Sequence, residues 1–157
     1  MPRYWLLKSE PSGYSFEQLR AEGTTPWTGV RNFQARNNMM EMKLDDLALF
    51  YHSSVAQPAA VGICKIVKTA YPDFTQFERD SEYFDGRAKQ AKPIWFMVDV
   101  SYVEELAHPI TLARMRGEPR LVGMALLRRG QRLSVQPVMP HEWQIVLDLA
   151  QHAEPAG

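Results

Sequence analysis

Two tryptophans, Trp27 and Trp95, stand where a ring can serve as part of a pocket wall. Trp27 lies in Thr-Pro-Trp-Thr-Gly-Val-Arg-Asn, a loop that enters a helix, and Trp95 opens a strand. Arg31, Asn32, Arg36 and Asn37 follow Trp27 at the start of that helix. Asn32 and Arg36 are one turn apart and share a face. An aromatic slot beside hydrogen-bonding groups is what a flipped nucleobase requires. Its π-face stacks on rings, worth about 1–3 kcal/mol per base, and its edge is read by a few fixed donors and acceptors. A methyl group on the base adds roughly 0.8 kcal/mol per buried carbon. The plainer reading of the four polar residues is helix capping and surface charge. Of the other tryptophans, Trp5 alternates within a first strand and Trp143 lies on a helical stripe, and both read as core.

Other chemistries find less support. None of the histidines (His52, His108, His141, His152) sits four residues from another, and the single cysteine, Cys64, lies in an apolar strand, so no metal-ligand spacing is present. There is no glycine-rich phosphate loop and no G-x-S-x-G elbow. No cofactor or metal is expected, and Cys64 reads as a small buried hydrophobe.

The 157 residues suit one domain, expected over residues 1–150 with a loose tail at 151–157. A lone cysteine allows no internal disulfide, which fits a reducing compartment. The N-terminus reads as no secretory signal, and no apolar run approaches the ~18 residues that span a bilayer. The expected location is cytosolic, or nuclear in a eukaryote, with no membrane partner. Formal net charge is zero. That disfavours a sequence-blind nucleic-acid coat, which rests on many phosphate contacts. Charge is nevertheless uneven: Arg114, Arg116, Arg120, Arg128, Arg129 and Arg132 face one acid, Glu118, while acids dominate from Asp73 to Asp85. These are either two solvated loops, or the arginine segment holds a phosphate backbone.

The elements that must position these residues are legible as patterns. Strands are expected over 4–8, 47–52, 60–68, 94–103 and 133–135, the last stopped by Pro137. Ser15 and Gln18 have capping-box spacing ahead of Phe16 and Leu19. A second helix is expected over 32–42 with Phe33, Met40 and Met39 turned inward, and a short third over 111–116. A fourth is expected over 140–150 with Trp143, Val146, Leu147 and Ala150 on one stripe. Irregularly placed helices among strands argue for an α+β fold with a small, mostly antiparallel sheet, expected to curl into a barrel.

Seven stretches, in order along the chain, resemble the EVE domain family. They are Tyr4–Pro11, Trp27–Asn37, Phe50–Ser53, Val61–Ile63, Tyr71–Asp73, Trp95–Val100 and Arg132–Val138, the Trp27–Asn37 block being the strongest. The resemblance implies a PUA-like fold: a small mixed or antiparallel β-barrel surrounded by helices, related to YTH and ASCH domains. It implies binding of a modified base, notably a methylated or oxidised cytosine in DNA, with RNA open. By position, Trp27 and Trp95 would be cage walls. Lys8, Ser9, Tyr51, His52 and Ser53 would line the slot. Arg31, Asn32 and Arg36 would meet the base edge or its phosphate. Arg128, Arg129 and Arg132, from the arginine segment, are expected as further phosphate contacts. The chain departs from the family at Asp45-Asp46, where Gly-Asp is common, so Asp45 is expected to be left-handed. It also departs at Gln131, where serine is common, and at Phe74, in place of proline.

Two function classes follow. The leading one is a non-catalytic module whose partner is a nucleic acid carrying a modified base. The alternative is an enzyme on modified nucleotides or RNA, should Lys8, Ser9, Glu10 and His52 converge. A weaker option is a protein-interaction module using the same groove.

Overall fold

Alternation in the first strand decides how the chain is layered. In Tyr-Trp-Leu-Leu-Lys-Ser, Trp5 and Leu7 point to one side and Leu6 to the other, and all three are buried. A strand buried on both faces needs a cover on each. The computed structural model, which describes residues 3–130 and 132–154, supplies both. Its elements run β1 (Tyr4–Ser9), α1 (Phe16–Glu22), β2 (Thr24–Pro26), α2 (Phe33–Glu41), β3 (Leu47–His52), β4 (Ala59–Pro72), β5 (Phe96–Thr111), α3 (Leu112–Arg116), β6 (Val135–Val138) and α4 (Pro140–Ala150). Short 3-10 turns occupy Phe74–Phe77, Pro119–Leu121 and Ala125–Leu127. Trp5 and Leu7 share a core with Phe16 and Leu19 of α1, and Ala35 and Met39 of α2. Leu6 shares the opposite core with Met115 of α3, and Trp143 and Val146 of α4.

The sheet has six strands in the order β2-β5-β4-β3-β1-β6. β1 and β3 are parallel, with Tyr4 beside Leu47 and Ser9 beside His52; the other pairs are antiparallel. The α+β class holds, but the expected barrel does not close. Its edges, β2 and β6, are three and four residues long and each carries a proline, Pro26 or Pro137. A proline has no N–H for a further ladder, so both edges are blunted.

Several boundaries differ from the sequence expectation. β4 and β5 continue to Pro72 and Thr111, because antiparallel pairing lays the end of each along the start of the other, Pro72 beside Phe96 and Thr111 beside Ala59, through repeated bulges. The last strand begins two residues later than expected and runs through Pro137, which an edge strand tolerates. β2 carries no hydrophobic signal and exists by pairing with β5.

The capping box at Ser15 is present, and the Phe16 ring lies on Gly62, where an added Cβ would meet it at 2.0 Å. In α2 the inward face is Ala35, Asn38 and Met39, while Phe33 and Met40 are half exposed. Asn38 is tolerated inside because its amide donates to the Val135 carbonyl and accepts from Gln34. Asp45 has φ 73° as expected, and its neighbour Asp46 is buried, accepting from Trp5 Nε1. No described helix is long and apolar enough to cross a membrane. Gln131, and residues 155–157 of the expected tail, lie outside the described residues.

Candidate functional site

Parallel β1 and β3 end together at Ser9 and His52, and the chain then leaves the sheet in two loops. An open cavity of about 1090 Å³ lies past those ends. Lys8, Ser9 and Glu10 form one side, continuing into Ser12, Gly13 and Tyr14. The run Thr25–Arg31 forms the floor and a second side. Ser53 and Ser54, Glu82 and Tyr83, and Arg132 and Ser134 complete it.

Trp27 is held from below. Its backbone N–H donates to the Val98 carbonyl at 2.8 Å, and its ring meets Phe50 at 5.5 Å and Tyr14 at 6.4 Å, both edge-on. Only 7% of the residue is exposed. No described residue accepts from its indole N–H, and among the described residues no buried polar side-chain atom is left without a partner. The indole N–H is therefore open to solvent on a residue that lines the cavity.

The chain then turns at Gly29 with φ +87°, a conformation an L side chain rarely adopts. The Tyr83 ring packs on this glycine so closely that a Cβ would lie 2.6 Å from it. Buried Asp73 fixes the turn: Oδ2 accepts from Gly29 N at 2.8 Å and from Arg31 Nη1 at 3.1 Å. Arg31 in turn donates to the Tyr83 carbonyl from Nε at 3.0 Å and Nη2 at 2.7 Å. Two non-adjacent loops are thus joined into one aromatic-lined wall.

Electrostatically the cavity is mixed. Lys8 is half-buried and desolvation lowers its pKa, while no described carboxylate forms an ion pair with it. An arriving anion would relieve that cost. Its backbone N–H donates to the Ser134 carbonyl at 2.9 Å, so Lys8 and the segment carrying Arg132 form one cationic corner. Glu10 and Glu82 lie elsewhere on the rim, and burial followed by the Glu82 charge raises the Tyr83 pKa. The Tyr14 hydroxyl, pushed up to about 12 first by burial, stays protonated and donates to Glu22.

The structure brings together Trp27, Lys8, Ser9, Ser53, Arg31 and Arg132, but not the other expected site residues. Trp95 is 3% exposed and lies behind the wall. Its Nε1 donates to Asp85 Oδ2 at 2.9 Å, its ring stacks on Phe33 at 4.8 Å, and Arg31 lies 5.4 Å from its centroid. It supports Arg31 and does not line the cavity. Tyr51 points to the opposite core, since one step along a strand reverses the face. His52 lies just outside the lining. Its Nε2 accepts from Phe16 N at 3.1 Å, an orphan donor at the start of α1, and desolvation lowers its pKa. That lone pair is unavailable for taking a proton from a substrate.

Asn32 caps α2, accepting from Ala35 N at 2.9 Å. Arg36 donates to the Ile94 carbonyl and to Asn37, off the lining. Arg128 and Arg129 are exposed beyond the rim. Among the described residues no group of three or more His, Cys, Asp or Glu could hold a metal.

Tyr83, Tyr14, Glu82, Gly29 and Asp73 are site residues the sequence did not single out. Asp73 belongs to the Tyr-Pro-Asp stretch, and that was its one available signal. The acidic segment read as a solvated loop. Instead Asp73 is fully buried, and Asp85, held well below the usual carboxylate range by Arg87 and then Trp95, anchors the indole behind the wall.

Sequence and fold both match known proteins. The family model described as "EVE domain" matches residues 3–149. Rat thymocyte nuclear protein 1 is 43% identical over an alignment covering 99% of this chain and 76% of that protein. A Leishmania major protein of solved structure superposes with TM-score 0.92 at 42% identity, covering 96% of each chain. The structure of human THYN1 protein in complex with 5-methylcytosine-containing DNA superposes with TM-score 0.90 at 43% identity, covering 98% of this chain and 99% of that one.

Proposed function

This chain belongs to the EVE domain family, and on that premise we propose that it is a non-catalytic module that binds DNA by taking one modified base, of the 5-methylcytosine kind, into the cavity past β1 and β3. The observation that carries the reading is the wall itself: Trp27 and Tyr83 in one open cavity with Lys8 and Arg132 at its edge. Rings give a base a stacking surface worth about 1–3 kcal/mol. The indole N–H offers a donor to the base edge, and the cationic corner offers charge to the flanking phosphate. At about 1090 Å³ the cavity exceeds what a base alone fills. Ligand sites usually span roughly 300–1,000 Å³, so a whole nucleotide is the better match. The human relative's complex with 5-methylcytosine-containing DNA supports the same ligand class. In this reading Tyr83 takes the place given to Trp95 as the second ring.

The test compares duplexes carrying 5-methylcytosine or cytosine at one position, with matching RNA as a third arm. Trp27→Ala is a poor variant, since emptying a buried tryptophan site costs about 3–5 kcal/mol of stability. Trp27→Phe keeps a ring and removes the indole N–H. It is expected to lower affinity for the methylated duplex about fivefold, as the loss of one hydrogen bond of about 1 kcal/mol does. Equal affinity of the wild type for methylated and unmethylated duplexes, measured by fluorescence anisotropy, would defeat the proposal.

A further inference from the structure

Arg31 has five N–H donors, and all five are spent inside the protein. Nε and Nη2 reach the Tyr83 carbonyl, Nη1 reaches the Val30 carbonyl and Asp73 Oδ2, and Nη2 also reaches Thr75 Oγ1 at 3.0 Å. The guanidinium lies 5.5 Å from the Tyr83 ring centroid and 5.4 Å from that of Trp95. No donor is left for a base edge or a phosphate, although the side chain stands beside the cavity.

What Arg31 holds is a wall that no strand holds. Tyr83 lies in a stretch of turns between the 3-10 turn at Phe74–Phe77 and β5. Its other fixings are Tyr83 N to Ser81 Oγ, Asp85 N to the Gln76 carbonyl, and Trp95 Nε1 to Asp85 Oδ2, none of which reaches the Trp27–Arg31 floor. The doubled bond from Arg31 ties this stretch directly to the Trp27–Arg31 floor. The other end of Arg31 is anchored by Asp73, which also sets the Gly29 turn on which the Tyr83 ring rests.

We propose that Arg31 is a positioning residue that holds Tyr83 at stacking distance from a base lying on the Trp27 floor, and that it contacts neither base nor phosphate. This inference rests on the base-binding reading of the cavity. Lysine cannot replace it, because a single ammonium lacks the planar fork that reaches two carbonyls, a hydroxyl and a carboxylate together.

The experiment titrates a duplex with one 5-methylcytosine, and its unmethylated twin, by anisotropy across a salt series. Wild type, R31K, Y83A and the double variant are compared. R31K is expected to weaken methylated binding on the order of tenfold, as loss of a stacking ring does. It leaves the slope of log K against log salt unchanged, whereas removal of a phosphate contact reduces that slope by about 0.9. The double variant loses no more than the weaker single, because both remove the same wall.

A slope reduced in R31K, additive losses, or unchanged binding by R31K overturns the inference. Should R31K melt too low to assay, Thr75→Val, which removes one acceptor, takes its place with the same expected pattern at smaller size. A wild type that does not distinguish the two duplexes defeats the base-binding reading itself. Discrimination by the wild type with additive variants defeats only the role given to Arg31.

Discussion

Residues of one type divide here by what they are bonded to. Trp5 and Trp95 give their indole N–H to buried or part-buried carboxylates, Asp46 and Asp85, while no described residue accepts from that of Trp27, which lines the cavity. Among the cations, Arg31 is fully spent within the fold, whereas Lys8 stands in the cavity wall with no described ion pair. His52 shows the same commitment, and it carries a pH consequence. Its Nε2 must stay unprotonated to accept from Phe16 N, and its pKa is lowered below 6.5 by desolvation. The unfolded chain takes the proton first, so this stability is present above pH 6.5 and is lost as pH falls toward the folded-state value. Urea midpoints are expected to decline with acidification, and His52→Gln, which retains an acceptor for Phe16, should flatten part of that decline. An unchanged pH profile in His52→Gln would count against this linkage.

At the scale of elements, the site is made of turns that a regular scaffold presents. The ends of β1 and β3 are fixed by ladder pairing, but Trp27, Gly29 and Tyr83 depend on one turn geometry. Gly29→Ala meets two penalties, a left-handed φ and a Cβ 2.6 Å from the Tyr83 ring. Gly23→Ala meets only the first, since nothing lies within 4 Å of its added Cβ. The first variant should lose about 1–3 kcal/mol and binding with it. The second should lose about 1 kcal/mol and keep binding. Thermal melts and one titration of each variant check the contrast; equal loss of binding in both would mean that contact with Tyr83 does not matter.

At the scale of the molecule, zero net charge and a few clustered arginines imply a binder with shallow salt dependence. Arg128 and Arg129 are exposed outside the cavity lining. Replacing either by Gln is expected to weaken methylated and unmethylated duplexes alike and to reduce the salt slope by about 0.9. A selective loss for the methylated duplex would instead place that arginine in base recognition. The sequence by itself determined the elements whose periodicity is local: the capping box at Ser15, the α4 stripe under Trp143, the strand at Leu47–His52 and the left-handed Asp45. It also determined the family and the Trp27 block. Tertiary structure decided what depends on partners distant in the chain. β2 exists only through β5, the sheet stays open with short edges at β2 and β6, and Phe33 lies outward because Ala35, Asn38 and Met39 meet the sheet. It also placed Tyr83 and Tyr14, and not Trp95, beside Trp27 in the cavity lining. No local pattern could show that placement, because a ring's role is set by which face of the fold its neighbours close, and those neighbours come from two turns far apart in the chain, Gly29 and Arg31 from one and Asp85 from the other.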